Sequence, residues 1–209
     1  MLKFIKKTFL GNNPVRLFVR LLTLTILLYL LILPVYPELR YELSPKKEER
    51  SVSAKEPLQV RQEAEKMINR LPEAEYSVSS DRLIITKIGV NAPIIRSQDE
   101  SALDKGVWLL SDSSTPGQVG NTVITGHRFK YLPPHNLTFY LFHKLEPEDL
   151  VYIIWNQEEY LYLITEVRVV DRTDLSILES GSEEILTLFT CHPLYSTSHR
   201  LVLVAEPVD

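Results

Sequence analysis

Cysteine is nearly missing from this chain: Cys191 is the only one in 209 residues. One thiol excludes an intrachain disulfide. With five scattered histidines it also leaves no C-x-x-C or H-E-x-x-H spacing for zinc, so no metal and no cofactor are expected. Glycine is scarce, at seven residues, and no glycine-rich phosphate loop or coiled-coil heptad occurs. The net charge of -4 carries no basic surplus, so no nucleic-acid partner is expected. Acidic residues are absent before Glu38, whereas Lys3, Lys6, Lys7, Arg16 and Arg20 all fall in the first 20 positions.

What is present begins with an uncharged run, LLTLTILLYLLILPVYP, over residues 21–37. Counted from Leu17, with Arg20 snorkelling toward headgroups, about 20 residues span roughly 30 Å, the thickness of a bilayer core. A cleaved signal peptide would have a shorter apolar core and an A-x-A-like exit. Here the exit reads LILPVYPEL, with large residues and two prolines. The expectation is a cytoplasmic basic tail at 1–16 and a lipid-contacting transmembrane anchor at 17–37. The basic flank puts the N-terminus in the cytoplasm and the rest of the chain outside, a single-pass protein of the cell membrane.

Residues 38–57, ELRYELSPKKEERSVSAKEP, are polar and charge-dense and read as a stalk. Residues 58–71 place Leu58, Ala64, Met67, Ile68 and Leu71 at helical spacing, stopped by Pro72. Together 38–75 form an extracytoplasmic tether with one helix. From Asp81 the texture becomes short β-type runs: RLIITKI, VWLL, NTVIT, LVYIIW, YLYLITEVRVV, EILTLFTC and RLVLVAEP. A short helix is expected at 138–145, TFYLFHKL, closed by Pro147. Many short strands, few helices and no internal repeat predict an all-β barrel or sandwich over 76–209.

Cys191 ends one of those strands, LTLFTC, and there are three readings of it. A buried thiol packs like a small hydrophobe. Zinc ligation lacks partners. A nucleophile needs a base, and His192 is the tempting one, but neighbours on a strand point to opposite faces. His199 and Arg200 diverge for the same reason. His135 and His143 read as surface histidines. His127 differs: it follows the strand NTVIT and Gly126, where backbone can approach a ligand and a barrel can present an imidazole to a cleft.

GNTVITGHRF, TLFTC and an arginine nine residues after the cysteine resemble the sortases, membrane-anchored cysteine transpeptidases of bacterial surfaces. The matching positions are Gly126-His127, Thr187-Leu188-Phe189-Thr190-Cys191 and Arg200, and the resemblance runs from about Leu83 to Val204. It implies a closed β-barrel with short helices. Where the family often has I-P-K-I, this chain has Ile85-Thr86-Lys87-Ile88, a departure at a structural position. No D-P-aromatic lid segment precedes the barrel, which argues against the pilin-polymerising type. T-C-H-P with a short loop before Arg200 is most similar to the class E type, with class D second.

The resemblance implies the roles. Cys191 attacks a peptide carbonyl in a sorting motif, LPxTG-like, on secreted proteins, and forms a thioester. His127 protonates the leaving amine and later takes a proton from the incoming one. Arg200 stabilises the oxyanion and holds substrate backbone. Thr190 supports substrate or oxyanion. The acyl group passes to an amine such as that of a peptidoglycan precursor. At reference pKa values, about 3% of free thiol and about 24% of free imidazole are charged at pH 7. The loop at 167–185 is expected to read the substrate. Two readings compete: a cysteine hydrolase of the same fold, and an anchored barrel that binds a surface peptide without chemistry. An L,D-transpeptidase would place Gly before the cysteine, where Thr190 stands. A papain-like enzyme would place its cysteine at a helix start, ahead of its histidine.

Overall fold

In the computed structural model, residues 14–43, 62, 81–130 and 137–208 are described. The predicted helix at 58–71 lies outside them except for Gln62, which is helical.

Helix α1, Pro14–Ile32, opens on a proline, tolerated where the first N–H needs no partner. Its hydropathy averages 2.2 over its most apolar 18 residues, and none of its side chains is buried by protein. Thr23 and Thr25 return their hydroxyls to Val19 O and Leu21 O, which satisfies them without water. By length and composition this helix is able to cross a membrane. The helix stops sooner than the apolar run, which was expected to span to 37. A turn at 33–35 breaks it, and α2, Tyr36–Leu43, follows. The start of the expected stalk is therefore helical. Lys144 holds it against the folded domain, 3.1 Å from Glu38 and 2.9 Å from Glu42.

Eight strands close into a barrel in the order β1-β2-β3-β4-β7-β8-β6-β5. They are β1 Arg82–Ile85, β2 Val90–Arg96, β3 Val107–Leu109, β4 Gly120–Thr125, β5 Leu150–Trp155, β6 Glu158–Asp171, β7 Glu184–His192 and β8 His199–Pro207. Neighbours are antiparallel except β2–β3 and β4–β7, which run parallel. Alternation decides the lining. Ile124, Leu186, Leu188, Leu201, Leu203 and Ala205 are each at most 4% exposed and pack in one core cluster with Phe139 and Phe142.

Three local readings change. Strand β2 was not expected, because Pro93 interrupts its sequence. Pro93 sits opposite Arg82 of β1, just before β2 begins pairing β3 at Ile94, so its missing N–H falls where the strand changes partners. The stretch 85–88, where the family's proline is absent, finishes β1 and turns through Thr86–Ile88. Gly89 closes that turn at φ 70°, with its N–H on Thr86 O at 3.2 Å. The helix expected at 138–145 is only a turn at Phe142–Lys144. Phe139 stacks on Phe142 at 4.6 Å, and its N–H donates to His127 O at 2.8 Å, so the segment plugs the barrel instead of coiling.

Candidate active site

Parallel pairing of β4 with β7 sets the geometry. Thr125 lies opposite Phe189, and the ladder extends one step further, with Gly126 N–H donating to Phe189 O at 3.4 Å. Continuing the register brings His127 level with Cys191. Across the other edge of β7, Cys191 pairs directly with Arg200. These three positions alternate with the core-facing Ile124, Leu188 and Leu201, so they stand on the outer face of the barrel wall at one end. The arrangement brings the three positions singled out from the sequence to one end of the wall, and all three are partly exposed.

Thr190 lies one step from the thiol but on the inner side. It is 1% exposed, and its hydroxyl donates to Gly126 O at 2.7 Å. It thereby ties the residue before Cys191 to the residue before His127. Space at Gly126 is tight: a Cβ there would meet the Phe139 ring at 3.0 Å, and Phe139 is fully buried. His127 is half-buried, and burial pushes its imidazole below the ordinary value, with the Glu100 carboxylate opposing. The Arg200 guanidinium rests on the β7–β8 turn, where Nη1 donates to Thr197 O and His199 O, both at 3.0 Å. His192 pairs with His199 on the face opposite Cys191, in keeping with strand alternation.

Other residues at this end carry weak sequence signals. Phe129 packs edge-on to Tyr195 at 4.7 Å, bridging the chain after His127 to the β7–β8 loop. Both rings are exposed and neither belongs to a periodic pattern. His143 is not a bare surface histidine: Nδ1 lies 2.8 Å from Arg128 Nη2, and Nε2 lies 3.0 Å from Glu38. Arg128, adjacent to His127, is 4% exposed. His135 lies outside the described residues. The expected substrate loop at 167–185 is shorter, because β6 continues to Asp171 and β7 starts at Glu184. Asn121 Nδ2 fastens that loop to β4 through Ile177 O and Glu179 O, at 3.1 and 3.0 Å.

The family model described as Sortase domain matches residues 83–208. Sortase D of Bacillus subtilis (strain 168) is 33% identical over 120 residues, 57% of this chain and 57% of its own. Sortase A of Listeria monocytogenes is 23% identical over 124 residues, 59% of this chain and 54% of its own. The chain thus spans somewhat over half the length of these curated relatives. Among solved structures, Sortase A from Corynebacterium diphtheriae superposes with a TM-score of 0.57 at 29% identity, covering 62% of this chain and 60% of that one. Sortase E1 from Streptomyces coelicolor, solved with a tripeptide in the active site, gives 0.55 at 23% identity, covering 62% of this chain and 88% of that one; its likeness is one of fold.

Proposed function

The chain belongs to the sortase family, and from that premise we propose that it is a membrane-anchored cysteine transpeptidase acting on secreted proteins with a sorting-motif peptide. The observation that carries this reading is the register: β4 pairs with β7 up to Thr125 and Phe189, each two residues before His127 and Cys191, and Cys191 pairs with Arg200 across β7–β8.

The chemistry follows from that placement. The Cys191 thiolate adds to a substrate carbonyl, and the oxygen takes the negative charge. Arg200, a fixed fork of donors, stabilises that oxyanion when substrate is bound. The C–N bond breaks as the C–S thioester completes, and the leaving amine takes its proton from the His127 imidazolium. An acceptor amine then attacks the thioester, gives its proton to His127 and releases the thiolate. The protons balance over the cycle. Thr190 acts here by holding Gly126, and hence His127, in register with the thiol. An LPxTG-like peptide is the donor class, and an amine such as that of a peptidoglycan precursor is the acceptor.

Anchorage fits the acceptor. Helix α1 lies in the bilayer with the N-terminus cytoplasmic and the barrel outside, as the basic flank directs. Fixing an enzyme beside a lipid-linked amine raises the effective concentration of that amine against water. The test incubates the protein with LPxTG-like and LAxTG-like peptides and an amine, and reads the products by mass spectrometry. The expected result is an amine-exchanged peptide, lost by at least about 1,000-fold in Cys191→Ala. Exchange that survives in Cys191→Ala overturns the reading. Native alkylation of Cys191 separates it from an inert peptide-binding barrel, whose thiol would label only after unfolding.

A further inference from the structure

Helix α2 has two unlike sides. At about 100° per residue, Glu38, Tyr41 and Glu42 fall on one side and Tyr36, Leu39 and Leu43 on the other. The first side meets the barrel. Glu38 lies 3.0 Å from His143 Nε2 and 3.1 Å from Lys144 Nζ, and Glu42 lies 2.9 Å from the same ammonium. Lys144 Nζ also stands 5.3 Å from the centre of the Tyr41 ring. The second side is left open: Tyr36, Leu39 and Leu43 are 42%, 48% and 73% exposed. Single exposed leucines need no explanation. These three form one stripe, at i, i+3 and i+7, on a helix whose acidic groups are turned the other way.

Where the stripe sits decides what covers it. Helix α1 has 19 residues. At about 1.5 Å each they span about 28 Å, nearly the whole of a bilayer core. To cross, α1 therefore needs no length from α2. Leu33 N–H and Val35 N–H bond back into α1, to Tyr29 O and Ile32 O, both at 3.0 Å. The turn is tight, so α2 starts beside the end of α1. The barrel is tied to the same point, because Tyr140 Oη donates to Pro34 O at 2.9 Å. The Tyr140 ring lies 6.1 Å from Phe129, two residues after His127. The candidate active-site end of the barrel thus adjoins the end of α1.

We propose that the open stripe of α2 docks on the bilayer surface, with α2 lying along the headgroup layer between lipid and barrel. This rests on α1 crossing the membrane. Lipid is the occupant because the stripe continues the apolar surface of α1 across a short turn, in which Val35 is exposed too. Leu39 and Leu43 enter the acyl boundary, and Tyr36 keeps its hydroxyl among the headgroups. Arg40, exposed beside the stripe, suits anionic headgroups. Glu38 and Glu42, which a negative surface would repel, are held on the barrel side by Lys144. A loose tether would let the barrel tumble at any height. A docked α2 fixes its height and keeps the candidate site beside the headgroups.

The test uses the full-length chain in vesicles of phosphatidylcholine and phosphatidylglycerol, in a Cys191→Ala background so that an introduced cysteine is the only thiol. An environment-sensitive fluorophore is placed at Leu39→Cys, at Glu183→Cys before the far end of β7, and at Ile26→Cys within α1. Lipids brominated near the headgroup end of the acyl chain should quench the label at 39 by about half or more, as expected for an interfacial helix, and leave that at 183 unchanged. If Leu39→Cys does not fold, Leu43→Cys on the same stripe takes its place. A label at 39 quenched no more than the one at 183 overturns the proposal. So does one that lipid does not quench but whose emission follows the protein-to-lipid ratio, the sign of a second copy on the stripe. Ile26 tests the premise: a label there that bromines near the chain ends fail to quench overturns the anchor reading and this proposal with it. A quenched label at 26 with an unquenched one at 39 overturns this proposal alone.

Discussion

The end of the β4–β7–β8 wall carries two rows of residues, one on each side. One row is His127, Cys191 and Arg200; the other is His192 and His199, paired across β7–β8. Both rows hold histidine, so the presence of an imidazole does not distinguish them. Position does: successive strand residues alternate sides, and only the first row includes the thiol. A one-residue slip of β7 would turn Cys191 to the other side of the wall and put His192 where it stands. The site is therefore as secure as the register, and the register is held by Leu186, Leu188, Leu201 and Leu203 in the core.

The strongest way to break this comparison is to remove one histidine from each row. His127→Ala should lower turnover by about 100- to 10,000-fold, the range for a lost general acid and base. His192→Ala should stay within about threefold, well below that range. Peptide-to-amine exchange measured on both variants checks this, and equal losses would abolish the distinction between the rows.

The next effects are on stability. Gly126→Ala forces a Cβ to 3.0 Å from Phe139, a ring already stacked on Phe142, and overpacking of this kind costs about 1–3 kcal/mol. Urea denaturation reads that loss, and activity should fall with it because His127 is the next residue. Thr190→Val deletes the hydroxyl bonded to Gly126 O at 2.7 Å and should cost about 1 kcal/mol. If exchange activity falls much further than stability in Thr190→Val, the hydroxyl has a role in the reaction besides the latch.

The smallest effect is the one set by pH. Burial lowers the imidazole of His127 in the fold. Between that lowered value and the unfolded value near 6.5, the unfolded chain binds more protons. Stability from this group is therefore full above about 6.5 and declines as pH falls below it. His127→Gln should flatten the fall in unfolding free energy between pH 7.5 and 5.0. Asp149, which burial raises, acts in the opposite sense, so the difference between wild type and variant is the quantity to read. An identical pH dependence in the two proteins would contradict a lowered His127.

Much of this wall was legible in the sequence. Seven of the eight strands show as β-branched or aromatic runs, and alternation alone set His192 aside as a partner for Cys191. Pairing the thiol with His127 drew on the family motif, because no local pattern links residues 64 apart. The missed features share a physical cause. Pro93 masks β2, since a sequence does not show where a strand changes partners. TFYLFHKL has apolar residues suited to a helix, but Phe139 spends its N–H on His127 O. Helix α2 reads as polar stalk because what holds it is Lys144, more than a hundred residues along. Arg128 reads as an ordinary charged residue, because burial is a property of the fold.

The latch between Thr190 and Gly126 closes a span of 64 residues, and Arg200 belongs to the last strand. A chain emerging N-terminus first completes β4 early but has no opposite wall to place beside it. His127 must wait for β7, and the thiol must wait for β8 to bring its arginine. On the proposed roles, the order of synthesis acts as a safety catch: an unfinished chain carries the imidazole without the thiol, and exchange would begin only when the barrel is shut.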